Sequence, residues 1–461
     1  MAKYSVLLTG ILALWTSSVN GSVVARQNNN TAYLDAISDY VDSIYDDLWN
    51  ISQTIHENPE LGFKEVKAHE LLTSFMEAQD GWNVTRSLYN ISTSFSAVFE
   101  GSGDGPVVSF NSEYDALPNL GHACGHNLIA TVGLTGALAT AKIMKDQNLP
   151  GKVILFGTPA EESLGGKVDM LEAGIFDDYE IDISLIAHPS NGPDTPYMRT
   201  FSTSRLDLEY YGKTAHASAA PYEGINAQDA LVLAYNAIGL LRQQSQRTDQ
   251  IHGIITSGGT SINVIPDLSS ASFQIRAQDD ADLDAWTKRI LKCFDAGSVA
   301  TGAELNLTMR ENSYSAMLSN DVLASSWSKF FVALGGTVPD AQLDRIKAQG
   351  GSTDQGNISQ RFASIQPQFQ IYNENGSVPT GGPHTAQFEV AAKSKKSFDK
   401  ALMTAKGLAG VAVEVLTVEG MVDEVKKELE GLEGTDGRSK RRGVGREIRK
   451  VRGVVDDLHF H

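Results

Sequence analysis

Asn111-Ser112-Glu113-Tyr114-Asp115-Ala116-Leu117-Pro118 and, after Asn119-Leu120, Gly121-His122-Ala123-Cys124-Gly125-His126-Asn127 crowd histidines, a thiol and acidic groups into a short turn. Upstream, Val107-Val108-Ser109-Phe110 reads as a buried strand. Downstream, Leu128 to Met144 is rich in Ala and Leu and reads as a helix. The cluster therefore lies where a strand ends and a helix begins, the usual ligand position in an open α/β sheet. Cys124 and His126 stand two apart, so a helix would splay them, whereas a turn can aim both at one point. The helix N-terminus beside them favours the thiolate, the form that binds metal. A lone cysteine would read as a structural core residue. With His122 and His126 on either side of it and acids nearby, metal binding is the better reading.

Outward from this stretch the chain alternates between strand and helix patterns. Tyr33 to His56 and Lys67 to Glu77 carry helical spacing, and Ser94 to Glu100 reads as a strand across the Gly-rich turn 101–105. Lys152 to Thr158 is a buried strand ending in Pro159-Ala160-Glu161-Glu162, with a short helix at Val168 to Ala173. Ile183 to Ala187 is another strand, ending at His188. Strand ends thus deliver Asp115, then Glu161 and Glu162, then His188. This order implies an α/β domain with a mostly parallel sheet. The pattern then changes. Strands at 205–211, 251–257, 271–277 and 304–310 and helices at 226–243 and 283–294 give the order βαββαβ, the ferredoxin-like unit. A helix at Asn320 to Leu334, a capped segment at Ser352-Thr353-Asp354, a polar loop with His384 and a closing helix at Phe398 to Leu416 resume the first domain. The expected division is a leader at 1–25, a catalytic domain in two parts at 26–198 and 312–420, an inserted lid at 199–311, and a divergent, basic, disordered tail at 421–461.

At 461 residues the chain is too long for one ordinary domain. Hydrophobic residues make up 41% and charged residues 20%, which is globular composition. A formal charge of −18 argues against nucleic acid as a partner, because phosphate attraction needs a basic surface. Lys3, the apolar run Val6 to Trp15 and small polar residues to Ala25 have the layout of a secretory signal peptide. The run is too short for a membrane anchor, which takes ~20 apolar residues, and no later segment reads as one. Sequons at Asn29, Asn50, Asn83, Asn90, Asn306, Asn357 and Asn375 fit a secreted, extracellular glycoprotein. Cys124 and Cys293 are the only cysteines. A disulfide between them is the rival to metal binding in a secreted protein. Cys293 reads as a small core residue in an amphipathic run, so no disulfide is expected.

Zinc accepts His nitrogen, Cys sulfur and carboxylate oxygen, and a catalytic site keeps a position open for water. Adjacent glutamates are ordinarily a solvated pair. At the end of a buried strand, two free carboxylates would be desolvated and repel each other. One as metal ligand and one as base removes that conflict, the base taking a proton from water on the metal.

With these motifs in view, the chain resembles the metal-dependent aminoacylase and carboxypeptidase family of metallopeptidases, and within it the amidohydrolase branch. The stretch from Glu113 to Pro118 and Gly121 to Asn127 is most similar to dipeptidase-like and aminobenzoyl-glutamate hydrolase members. The resemblance runs from about His56 to His384. It implies that Cys124, His126, Glu162, His188 and His384 are metal ligands and that Glu161 is the general base. It also implies Zn²⁺, two ions per subunit, with Mn²⁺ as the other metal used. Two departures stand out. The carboxypeptidase branch has a His and a bridging Asp near Ser112 to Tyr114, and many amidohydrolases have Asp where Asn127 stands.

Gly212-Lys213-Thr214-Ala215-His216-Ala217 and Gly258-Gly259-Thr260-Ser261-Ile262-Asn263-Val264-Ile265-Pro266 match the family's lid and dimerisation domain. The implied partner is a second copy, in a homodimer whose His216 reaches the other active site and stabilises the oxyanion. Asn263 and Arg276 are the expected substrate-binding residues, Arg276 as a carboxylate clamp. The expected enzyme is a secreted metal-dependent hydrolase acting on the amide bond of N-acyl amino acids or small dipeptides. A carboxypeptidase acting on peptide C-termini is the alternative. An inactive conjugate-binding relative is a third, disfavoured because Glu161 and every ligand are present.

Overall fold

The computed structural model describes residues 32–162, 164–310, 312–340 and 350–435. The expected leader and the basic stretch 438–452 lie outside them. The chain enters through α1 (Ala32–Ser43), α2 (Tyr45–Glu57) and α3 (Val66–Glu77). The helix expected over 33–56 is thus two, broken at Ile44, where φ −111° and ψ 16° leave the helical region. Next come β1 (Trp82–Arg86), β2 (Phe95–Glu100), β3 (Val107–Ser112), α4 (His126–Gln147), β4 (Lys152–Gly157), α5 (Gly166–Glu172), α6 (Ile175–Asp178), β5 (Ile183–Leu185) and β6 (His188–Ser190). The inserted lid contains β7 (Ser202–Tyr211), α7 (Ala227–Leu241), β8 (Gln250–Ser257), β9 (Leu268–Ala277), α8 (Asp280–Thr301) and β10 (Glu304–Met309). The first domain resumes with α9 (Asp321–Ala333), α10 (Gln355–Ser359), β11 (Ala363–Ile365), β12 (Gln368–Gln370), α11 (Ala386–Ala392), α12 (Lys395–Thr417) and α13 (Met421–Thr435).

The main sheet runs β1-β2-β4-β3-β5-β11. It is parallel from β4 through β3 and β5 to β11, and antiparallel at the β1-β2-β4 edge. β1 is not expected from the sequence; its alternation is short, with Asn83 and Thr85 exposed on an edge strand and Trp82 and Val84 packed on the core. The parallel part is the one that matters, since its C-terminal ends carry the site. Beyond it, β6 pairs with β12 in a two-stranded extension, so His188 begins a strand opposite Gln368. α4 lies on the sheet at very short range. A Cβ at Gly133 would meet Ser112 Oγ at 2.4 Å, and one at Gly136 would meet the Phe110 ring at 2.4 Å. By length and apolar content α4 would suffice to cross a bilayer, but 94% of that stretch is buried inside the protein. A helix hydrophobic on all sides is here the centre of a core, with α12 packed along it.

The lid is the expected ferredoxin-like unit. Its sheet runs β10-β7-β9-β8, antiparallel throughout, with α7 and α8 on one face. Leu206, Leu208, Tyr210, Phe273, Ile275, Trp286 and Phe294 form its own core, which also takes Cys293. Both cysteines are free thiols, as expected.

The tail departs from expectation. α13 continues the domain to Thr435, with Val425 fully buried. Glu428 accepts the Asp321 and Val322 amide protons at 2.6 and 3.1 Å, satisfying the first turn of α9. The alternating Glu and Lys of this helix mask a narrow apolar stripe, so the first domain ends later than 420.

Candidate active site

Asp115 organises the cluster from the end of β3. Its Oδ1 lies 2.9 Å from His126 Nδ1, and its Oδ2 accepts the Glu162 amide proton at 2.8 Å. A carboxylate on Nδ1 fixes the proton there and leaves Nε2 free to face the site as a ligand. His188 is set the same way, donating Nδ1–H to the Pro189 carbonyl at 2.7 Å. Its Nε2 then lies 3.4 Å from Cys124 Sγ. Gly125, at φ +76°, makes the turn between Cys124 and α4. A Cβ there would meet Pro189 Cγ at 2.6 Å, so the left-handed bend and the close approach both require glycine.

The expected ligands converge. Cys124, His126 and His188 form one group and Cys124, Glu162 and His384 another, with ligand atoms within 4.8 Å in each. Cys124 belongs to both. His384 comes from the loop before α11, tied down by its backbone N–H donating to the Ala123 carbonyl at 2.8 Å, and its Nε2 lies 3.4 Å from Glu162 Oε1. Its side chain is 54% exposed while that of His126 is fully buried, so His384 stands at the mouth.

The donor set fits divalent cations. Buried His126 Nε2, Glu162 Oε1 and Glu113 Oε2 have no hydrogen-bond partner among the described residues, an arrangement that costs free energy without an ion. Charge points the same way. Burial alone would lower the His126 imidazole, but Asp115 and then Cys124 push it well above its usual value. Without metal, the site draws a proton to its centre. Burial, followed by the Glu113 and Glu162 carboxylates, pushes the Glu161 carboxyl well up. Glu162 feels the same burial, yet His384 and His126 outweigh it and hold its carboxyl low. Cys124 corrects an expectation. Burial and then the Glu162 carboxylate push its thiol well up, against the expected pull of the helix start, so a cation binding there has to displace the thiol proton.

Glu161 and Glu162 follow a strained elbow. Ala160 sits at φ +62°, its amide donating to Glu65 Oε1 at 2.8 Å and its carbonyl accepting from Gly166 at 3.2 Å. Glu65 is fully buried, and burial, then Asp115, pushes its carboxyl to about 7. Tyr314 donates its hydroxyl to the Glu161 carbonyl at 2.6 Å. Lys167, fully buried, reaches Glu113 at 2.6 Å and Asp354 at 2.5 Å. Asp354 therefore serves Lys167 instead of capping α10. Sequence reasoning gave Glu113, Lys167, Asp354, Glu65 and Tyr314 no role. Their partners lie far along the chain, and only the Glu-Tyr-Asp spacing at 113–115 hinted at one of them.

The lid residues are not part of this cluster. His216 and Asn263 sit on adjoining loops, joined by the Ala217 amide on the Asn263 carbonyl at 3.0 Å, and both are exposed. Neither makes a hydrogen bond or ion pair with the metal-binding groups. His216 Nδ1 accepts amide protons from Ser218 and Ala219 at 3.3 and 3.1 Å, so Nε2 carries the proton and points outward as a donor. Arg276 pairs with Thr203 across the lid sheet, and its Nη1 is buried with no hydrogen-bond partner among the described residues. Among the described sequons, Asn50, Asn83, Asn90, Asn306 and Asn375 are exposed. Asn357 is committed to bonds with Ser315 and Ser313.

Residues 200–301 match the peptidase dimerisation domain of the M20 peptidases. The chain is 37% identical to Xaa-Arg dipeptidase of Mus musculus over 401 residues, covering 84% of this chain and 90% of that protein. The chain belongs to the M20 peptidase family. It is also 32% identical over 270 residues to one of the subunits of p-aminobenzoyl-glutamate hydrolase from Escherichia coli (strain K12), 55% of each protein. A dinuclear metal-binding peptidase of the M20 family from Bacillus subtilis shares the fold with TM-score 0.61 at 20% identity, covering 81% of this chain and 99% of that one. This M20 member is thus a metal-dependent hydrolase of C–N bonds, with an α/β catalytic domain and an inserted dimerisation domain.

Proposed function

We propose that this protein is a secreted dipeptidase-type hydrolase that cleaves the amide bond of a small dipeptide or N-acyl amino acid with a free α-carboxylate. The observation that carries the reading is the convergence of Cys124, His126, Glu162, His188 and His384, with Glu161 beside them and assigned no ligand role. Two divalent cations, Zn²⁺ by the donor chemistry, would supply Lewis acidity toward the amide carbonyl and lower the pKa of the attacking water. Glu161 takes the proton from that water and passes it to the leaving amine nitrogen. His216 of the partner subunit in a homodimer donates Nε2–H to the oxyanion. Arg276 holds the substrate carboxylate bidentately, with Asn263 of the partner subunit donating beside it.

The dipeptide form is placed first because the relatives matched over most of their length carry that name. A cleft of about 350 Å³ lies between Leu164 and Tyr314 on the catalytic side and Arg205 and Gln274 on the lid, but none of the proposed ligands, the base or Arg276 lines it. Secretion rests on the N-terminal leader pattern and the exposed sequons. The test is metal analysis of purified protein, then a release assay over dipeptides, acyl amino acids and their α-amides. The expected result is metal-dependent release with strong loss for the amides. Equal turnover of acid and amide would remove the carboxylate clamp, and turnover unaffected by metal stripping would remove the mechanism.

A further inference from the structure

Glu113 lies two residues before Asp115 and is fully buried. Its Oε1 meets Lys167 Nζ at 2.6 Å. Its Oε2 has no hydrogen-bond partner among the described residues and lies 3.6 Å from His126 Nε2, which has none among them either. That separation is too long for a hydrogen bond. It suits two donors to one ion, since Zn–N and Zn–O bonds of ~2.0–2.2 Å, bent at the metal, span such a gap. Glu113, His126 and Glu161 also offer ligand atoms within 4.8 Å of one another. We propose that Glu113 is a further ligand of the ion held by His126 and His188, clamped for that task by Lys167 and Asp354.

The rival is a purely structural Glu113–Lys167 ion pair. A buried structural pair is stable when the remaining lone pairs are satisfied. Here the lysine satisfies one oxygen and leaves the other aimed into the metal site. Lys167 is itself over-determined. Its Nζ reaches Asp354 Oδ1 at 2.5 Å, and its amide donates to Asp354 Oδ2 at 2.9 Å. The clamp therefore stops Glu113 from rotating away, and it offsets repulsion between carboxylates that would otherwise disperse. Glu113 is not the base: its clamped oxygen cannot swing, whereas Glu161 carries no such anchor.

This rests on the metallohydrolase reading, and the test separates the two. Metal-free wild type and Glu113→Gln are titrated with Zn²⁺ against a competing chelator, and then with Co²⁺ while the absorption spectrum is recorded. Glutamine keeps an oxygen for Lys167 but is a poor ligand. The expected result is loss of affinity for one ion by about tenfold or more, the other being retained, with a changed Co²⁺ spectrum. Wild-type affinities for both ions with an unchanged spectrum in Glu113→Gln would overturn the proposal. Should Glu113→Gln fail to fold, Glu113→Asp keeps the charge and withdraws the oxygen. The Co²⁺ spectrum must then shift, and an unchanged spectrum overturns the proposal equally. A wild type that binds no metal would remove the broader reading instead.

Discussion

The metal-binding cluster and the lid loops are both sets of polar side chains, and they are built in opposite ways. Around Asp115 the groups are buried and held by partners within the same chain, down to the Lys167 clamp. On the lid, His216 and Asn263 are exposed and Arg276 keeps a buried orphan nitrogen. The first region is finished inside one subunit and wants only cations. The second lacks such internal partners among the described residues, as the proposed role in a dimer and in substrate binding requires. Buried polar groups without partners are costly, so an incomplete set of this kind marks where something else belongs.

The strongest way to break this contrast is Glu161→Gln. Turnover should fall by ~10²- to 10⁴-fold or more while metal content, measured by elemental analysis, stays at the wild-type level. Activity within about threefold of wild type would show that the finished region works without this base. Next comes His216→Ala, expected to cost ~10²- to 10³-fold in kcat if it supplies the oxyanion donor. Mixed with Glu161→Gln and co-refolded, heterodimers should recover up to half of one site's activity per chain. No recovery in verified heterodimers means that the lid serves its own subunit.

The smallest effect concerns the elbow beneath the cluster. Glu65 has a folded-state carboxyl near 7, raised by burial and Asp115, against about 4.3 in an unfolded chain. Across that window the fold holds a proton that the unfolded chain has released, so this group's contribution to stability falls as pH rises. Glu65→Gln stays neutral. Metal-free Glu65→Gln should therefore lose less Tm between pH 5 and pH 8 than metal-free wild type, and parallel curves would show that Glu65 does not titrate there.

Much of the cluster's placement could be read from residue order, because most of its groups stand at strand ends or in the Gly121–Asn127 turn. Asp115, Glu161, Glu162 and His188 follow β3, β4 and β5 directly. His384 was readable only through family resemblance, since its loop carries no periodic signal. Lys167 and Asp354 could not be paired in advance: they are 187 residues apart, and a buried lysine looks in sequence like any exposed one. The Cys124 expectation failed because local helix chemistry was weighed without the burial and the Glu162 charge that the tertiary fold brings. α13 failed for a related reason, its few buried residues hidden among charges.

The edge strand β11 pairs in parallel with β5, Ala363 against Ile183, although the whole lid is threaded between them. For a chain emerging from the ribosome, this sets an order of events. The lid occupies one continuous stretch with its own core, so it can collapse as soon as β10 appears. The central sheet must wait with an open edge until residue 365 is made, and pairing across such a distance is slow. His384, at the mouth of the cluster, is made later still. The core helix α12 and the closing helix α13 come after even that residue, so the candidate metal centre and the core beneath it are completed together, late in synthesis, and the half-made sheet keeps an exposed strand edge until then.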